Sequence, residues 1–283
     1  MEHIEAILPS LMIPVSYLVL YLVIFTGGKY LFSLIIRYSI YKEVSENQNS
    51  AVSIAYAGFL TGLTIVYIGA LTGPTQGYAT DMINVTLYSV LGVFLLLISR
   101  LINDKLILSQ FNNREELIRD KNDGTGAVLF GSYIASGLVV AGAIHGQGGG
   151  IDTAIAFFAL SQIALVIFTR IYDFITPYRI HDEIENDNRA VGVAFGGTLI
   201  ALGVLLMNGA SGAFISWEVN LEKFAFYSIG AFVILPVFRI FMDKILIPQY
   251  DLSKALSSDK NLGAGILEAI MVICFSIVLS AAL

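Results

Sequence analysis

Charge is what this chain has least of. Asp, Glu, Lys and Arg make up 13% of its 283 residues, against about 25% in a soluble protein. Its mean hydropathy is +0.77. That deficit excludes a water-soluble globular domain and leaves a membrane protein with short connections. The single cysteine, Cys274, lies inside the last apolar run. It excludes an intrachain disulfide and says nothing of redox compartment. The three histidines, His3, His145 and His181, are scattered without metal-ligand spacing. Haem between helices would need two intramembrane histidines as axial ligands, and they are lacking.

Other absences narrow the function. A net charge of −6 with no basic stripe leaves nothing to neutralise phosphate, which excludes a nucleic-acid partner. No alternating pattern of the outer-membrane barrel kind is present. Gly146-Gln-Gly-Gly-Gly150 has neither a strand before it nor a Lys-Ser/Thr after it, so it is a turn and not a phosphate loop. The acidic start, Met1-Glu-His-Ile-Glu5, lacks the cationic stretch and small-residue cleavage site of a secretion signal. The first apolar run is therefore expected to stay as a membrane helix. With no catalytic constellation and no cofactor motif, an enzyme is not expected.

What is present is apolar sequence in membrane-length pieces. Eight runs lie near residues 10–36, 51–71, 83–102, 126–145, 151–170, 190–208, 224–242 and 263–282. About 20 apolar residues cross the ~30 Å hydrocarbon core. The expected fold is an all-α, polytopic bundle of eight transmembrane helices. Pro236 should kink the seventh.

The runs are organised by a repeat. Asn49-Ser-Ala-Val-Ser, Asn122-Asp-Gly-Thr-Gly, Asn188-Arg-Ala-Val-Gly and Asn261-Leu-Gly-Ala-Gly each open an apolar helix. They stand 73, 66 and 73 residues apart, so the chain is four two-helix units. The first helix of each unit ends at an arginine: Arg37, Arg100, Arg170 and Arg239. Arg100-Leu-Ile-Asn-Asp104-Lys105 matches Arg239-Ile-Phe-Met-Asp243-Lys244, which points to duplication of a four-helix half, 1–146 and 147–283. Two helices per unit make all units enter the membrane in the same direction. The halves are then related by an axis along the membrane normal, without inversion.

Fourteen of the 16 Lys and Arg fall at or in the four Arg-to-Asn connections. The positive-inside rule places those connections in the cytoplasm and both termini outside. Trp217 and Tyr78 then suit the outer interface, where aromatic rings anchor.

Each repeated residue type has a physical role. The asparagines are expected to cap their helices, for about 1 kcal/mol each. Four such N-termini at one mouth could also attract an anion. Gly58 and Gly62, Ala127 and Gly131, and Gly192 and Gly196 stand four apart. Small residues on one face let helices approach closely in lipid, so the second helix of each unit is expected inside and the bulkier first helix outside. The arginines are expected to snorkel at the inner edge, Arg100 pairing with Asp104 and Arg239 with Asp243. Lys29 and Glu268 are the charges within the apolar runs that the repeat does not require. At similar depth and of opposite sign, they are expected to pair if four hairpins close into a ring that sets the first beside the last. Lone snorkelling of Lys29 or protonation of Glu268 is the alternative.

The Asn-x-small-x-Ser/Gly helices, each behind a bulky helix ending in a basic residue, resemble the YjfL-like family of bacterial inner-membrane proteins, catalogued as domain of unknown function number 350. Asn49-Ser-Ala-Val-Ser-Ile-Ala-Tyr-Ala-Gly58 and Asn188-Arg-Ala-Val-Gly-Val-Ala-Phe-Gly-Gly197 carry the resemblance best, whereas Asn122 and Asn261 lead to Gly where Ala is commoner. Small members resemble one four-helix half, so this chain would be a tandem form in the bacterial inner membrane. The resemblance also implies envelope-stress and polyamine-related neighbours. The expected function is an ion or small-solute channel or transporter, in the lipid bilayer and able to form a homo-oligomer. The alternative is a non-conducting scaffold docking a cytoplasmic membrane-stress protein. Gln162, Thr61, Thr64 and Thr198 are the few polar residues that could line a path.

Overall fold

The computed structural model describes residues 2–146, 148–246 and 251–283, with side chains from residue 11 onward. The His3 side chain lies outside that range. Eight long helices follow the eight apolar runs: α1 (Glu2–Ile35), α2 (Ser50–Leu71), α3 (Tyr78–Ile102), α4 (Asp123–Ile144), α5 (Ile151–Ile175), α6 (Arg189–Ala210), α7 (Trp217–Phe241) and α8 (Leu262–Ala282). Each contains a segment long and apolar enough to cross a membrane, and no strand occurs among the described residues. The chain is an all-α, multi-pass membrane protein. α7 runs through Pro236 without a break.

The Arg-to-Asn connections are more ordered than plain loops. Short helices occupy Asn113–Ile118, Ile180–Glu185 and Leu252–Ser257, and π-helical turns occupy Lys42–Glu46, Asn103–Ile107 and Met242–Leu246. Their apolar side chains explain this. Ile107, Leu117, Ile180, Ile184, Leu252 and Leu256 are all buried, so these segments roof the bundle rather than cross open water. Helical hydrogen bonding satisfies their backbone while they do so.

The long helices form two layers. α2, α4, α6 and α8 stand side by side in a row, each packed extensively on the next. α3 lies against α2 and α4, α5 against α4, and α7 against α6, while α1 touches α2 and α3. Glycine makes the row possible. A Cβ added at Gly62 would sit 2.6 Å from the Tyr133 carbonyl oxygen, and one at Gly196 2.5 Å from that of Ala127. Gly58 meets the backbone of Phe130, Gly131 that of Gly196, and Gly192 that of Gly124. Such backbone contact replaces the hydrophobic drive that lipid cannot supply. The membrane windows of α4 and α6 are 83% buried and that of α1 is 11% buried, which separates the central row helices from the lipid-facing cover.

The row is open. α4 and α6 use two flanks to hold neighbours, which propagates a line and leaves α2 at one end and α8 at the other. Closure into a ring is therefore not what the chain adopts. The first and fourth repeats are the two furthest apart.

Candidate functional site at the capped ends of the row

All four asparagines cap their helices, and the carboxamide does more than cap. The Oδ1 atoms of Asn49, Asn122, Asn188 and Asn261 accept from the backbone N–H of Val52, Thr125, Val191 and Ala264. The Nδ2 groups of the first three also donate, with two partners in common. One is a glutamate of the same repeat: Glu43 at 3.1 Å, Glu116 at 2.8 Å and Glu183 at 2.7 Å. The other is a carbonyl of the following repeat: Leu117 at 2.8 Å, Ile184 at 2.6 Å and Leu256 at 2.9 Å. Asn49, Asn122 and Asn188 thus each fasten their own repeat to the next.

The backbone is bent to allow this. The residues just before the asparagines, Gln48, Lys121, Asp187 and Lys260, have φ between 46° and 52°, which is uncommon for residues other than glycine. The bend returns each asparagine N–H to a carbonyl of the connection: Glu43, Glu116, Glu183 and Ala255. Burial pushes the Glu116 carboxyl above its ordinary value of 4.5, and the Asn122 amide opposes that shift.

Two arginine–aromatic clusters lie one layer deeper. In the second half, Arg239 of α7 donates its Nε–H to Glu268 Oε1 of α8 at 2.9 Å. The same carboxyl oxygen accepts from the Tyr172 hydroxyl of α5 at 3.1 Å. Arg239 also donates to the Tyr178 hydroxyl, and its guanidinium lies over the Tyr172 and Tyr178 rings. Glu268 is 1% exposed, and its Oε2 has no hydrogen-bond partner. Burial raises the Tyr178 hydroxyl above its ordinary range, so it stays protonated while it accepts from Arg239.

In the first half, Arg100 of α3 lies over the Phe32 ring at 5.6 Å. It faces Asp104 at 3.6 Å, one turn along. Tyr38, Tyr56, Tyr133 and Leu129 enclose a cavity of about 20 Å³ beside it, roofed by Asn113 and Arg114. Burial raises the Tyr38 hydroxyl, as it does Tyr178.

Several expectations need correction here. Glu268 pairs with Arg239 and not with Lys29, because the open row separates α1 from α8. Lys29 is exposed and in no ion pair among the described residues. Arg239 does not take Asp243, whose Oδ1 accepts from the Leu252 N–H. The four arginines also part company. Arg100 and Arg239 are the half-buried members of the two clusters, whereas Arg37 and Arg170 are exposed. Arg37 offers a backbone carbonyl to Arg114, and Arg170 reaches Ser109 and Leu106.

The polar residues weighed as a path lining do not converge. Gln162 donates to Ser136, Thr64 meets the Tyr21 hydroxyl, and Thr61 and Thr198 turn back onto carbonyls of their own helices. His145 is within 3.3 Å of Thr72, and His181 is buried against the Ile107 carbonyl. The two histidines stand at separate places. Sequence reasoning missed the tyrosines and the glutamates. The glutamates carry a signal, because Glu43 and Glu116 both stand six residues before their asparagine.

The family model described as Domain of Unknown Function (DUF350) matches residues 6–144 and again residues 148–283. The chain is similar to a UPF0719 transmembrane protein of Aquifex aeolicus (strain VF5), at 23% identity over 254 residues, 88% of this chain and 91% of the relative. It is also similar to the UPF0719 transmembrane protein YshE of Bacillus subtilis (strain 168), at 23% identity over 126 residues. Those residues are 44% of this chain and 89% of that relative, so the relative is about half as long. Both relatives are UPF0719 proteins, and neither carries the name YjfL. No solved structure matches the chain.

Proposed function

Because the chain belongs to the Domain of Unknown Function (DUF350) family, which it matches twice in tandem, we propose a function from a paired charge that its repeated scaffold does not require. That feature is the Arg239–Glu268 pair, held among Tyr172, Tyr178 and the packed helices. We infer that the protein moves an ion or small solute across the membrane, with the Glu268 carboxyl as the group whose charge changes during the step. An ionisable residue inside a membrane helix is costly to insert and usually serves a pathway or a relay. The corresponding position of the first half is Leu129, so packing alone does not demand a carboxyl here. The buried Oε2 supports the reading, since it has no hydrogen-bond partner while Oε1 holds Arg239 and Tyr172. We read the protein as non-enzymatic and as resident in a bacterial plasma membrane. The lysines and arginines of the connections support a cytoplasmic capped end with both termini outside.

Purified protein in liposomes tests this. Wild-type protein should dissipate an imposed ion or proton gradient, and Glu268→Gln should abolish that flux while the variant still folds. Flux no greater than that of empty liposomes would leave the second reading, a non-conducting platform for a cytoplasmic partner. One observation favours that reading: among the described residues, the asparagine links and short helices make a roof of charged segments over the row.

A further inference from the structure

The two halves can be compared residue by residue, since α3–α4 and α7–α8 are offset by 139 positions, as Asn122 and Asn261 are. Arg100 corresponds to Arg239 and Asp104 to Asp243. Both aspartates are held by the roof: Asn113 Nδ2 donates to Asp104 at 3.0 Å, and the Leu252 N–H to Asp243 at 3.0 Å. Glu43 and Glu183 are both bound by asparagine amides, as is Glu116, which stands where the second half has Ala255. At the cavity itself two positions differ in charge. Leu129 stands where the second half has Glu268, and Arg114 stands where it has Ser253. Counting the cavity's own side chains, Arg100, Arg114 and Asp104, the first half is therefore two charge units more positive than Arg239, Ser253, Asp243 and Glu268.

That difference surrounds a cavity. Its volume is about 20 Å³ and its lining holds Arg100, Arg114 and three tyrosines together with Asp104, which faces Arg100 at 3.6 Å; roughly 10–15 Å³ of such space holds one water. The Tyr56 hydroxyl of the same lining is buried with no partner, a donor left unsatisfied. In the second half that position is Phe195, where no donor is needed because the Glu268 carboxylate already faces the arginine.

We propose that the first-half cavity binds a small monovalent inorganic anion of chloride size, which takes the place that Glu268 fills in the second half. Arg100 and Arg114 supply the charge, and the Tyr56 hydroxyl donates to the ion. So small a cavity favours the smallest monovalent anions over sulfate, phosphate and organic carboxylates. The site lies in the other half from the Arg239–Glu268 pair, and binding at equilibrium stands whether or not the protein conducts.

The test is thermal unfolding of the full chain in detergent, in chloride and in gluconate at equal ionic strength. A ligand of the folded state raises the midpoint in a saturable way, so chloride and bromide should do so and gluconate and sulfate should not. Leu129→Glu supplies the second half's carboxylate, so its midpoint should no longer respond to chloride. Tyr56→Phe should raise the half-saturating chloride concentration about tenfold or more, the scale of one hydrogen bond to a charge; it decides the matter alone if Leu129→Glu does not fold. Equal midpoints in chloride and gluconate for the wild-type chain would overturn the proposal. So would a full wild-type response in either folded variant.

Discussion

At the scale of single residues, the asparagines show how one carboxamide can carry three tasks. Asn188→Asp separates them. Aspartate is as good a cap as asparagine, so a purely capping role predicts little change. The side chain would, however, lose its donor to the Leu256 carbonyl and set a carboxylate against Glu183. We expect a loss of at least about 1–3 kcal/mol, the cost of stranding buried polar groups, read as a lowered unfolding midpoint in detergent.

Glu116 gives a pH signature at the same place. Its carboxyl is raised on folding, so the folded state binds that proton more tightly than the unfolded chain. The resulting stability is fully present below about pH 4.5, the ordinary value. It is lost as pH rises through the folded value. Glu116→Gln should flatten that part of the stability profile, and an unchanged slope would count against it. The caps were legible because an Asn before an apolar run has a local cause. The Nδ2 partners were not, because Leu117, Ile184 and Leu256 offer carbonyls, which every residue has.

At the scale of elements, the small-residue helices were legible for the same local reason. Gly196→Leu should prevent folding, since even a Cβ would collide with the Ala127 carbonyl. Leu160→Phe on the half-buried face of α5 should fold, and expression and gel-filtration profiles of the two variants decide it. The ion pair was half legible. Glu268 stood out as a charge in an apolar helix, but its partner Arg239 had the bland reading of an end-of-helix anchor. A second-helix position pairing with the first helix of its own repeat needs only one hairpin, not ring closure. Removing one member strands the other, at ~3–5 kcal/mol for a buried pair. Arg239→Met with Glu268→Leu should recover much of the loss seen in Glu268→Leu alone.

For the whole molecule, the two-layer arrangement follows from which helices carry small residues, but whether the row closes does not. Spacing along the chain says which repeats are neighbours and nothing about the turn from one to the next. Orientation can be tested directly. In a Cys274→Ala background, cysteines at Gln48 and Asp259 should be labelled only from the cytoplasmic side, and one at Gln76 only from outside. Labelling at Gln76 from the cytoplasm would reverse the topology.

An open row also has a thermodynamic character of its own. A closed ring shares every interface, so it opens all at once or not at all. A line of four units, each bonded only to the next, behaves as a one-dimensional chain of nearest-neighbour couplings. Its terminal units hold one coupling each and its central units two. Opening should therefore begin at the ends and move inward, with amide exchange fastest in α1 and α8 and slowest in α4 and α6. Breaking the central link, from Asn122 to the Ile184 carbonyl, should turn one cooperative transition into two, each half melting by itself.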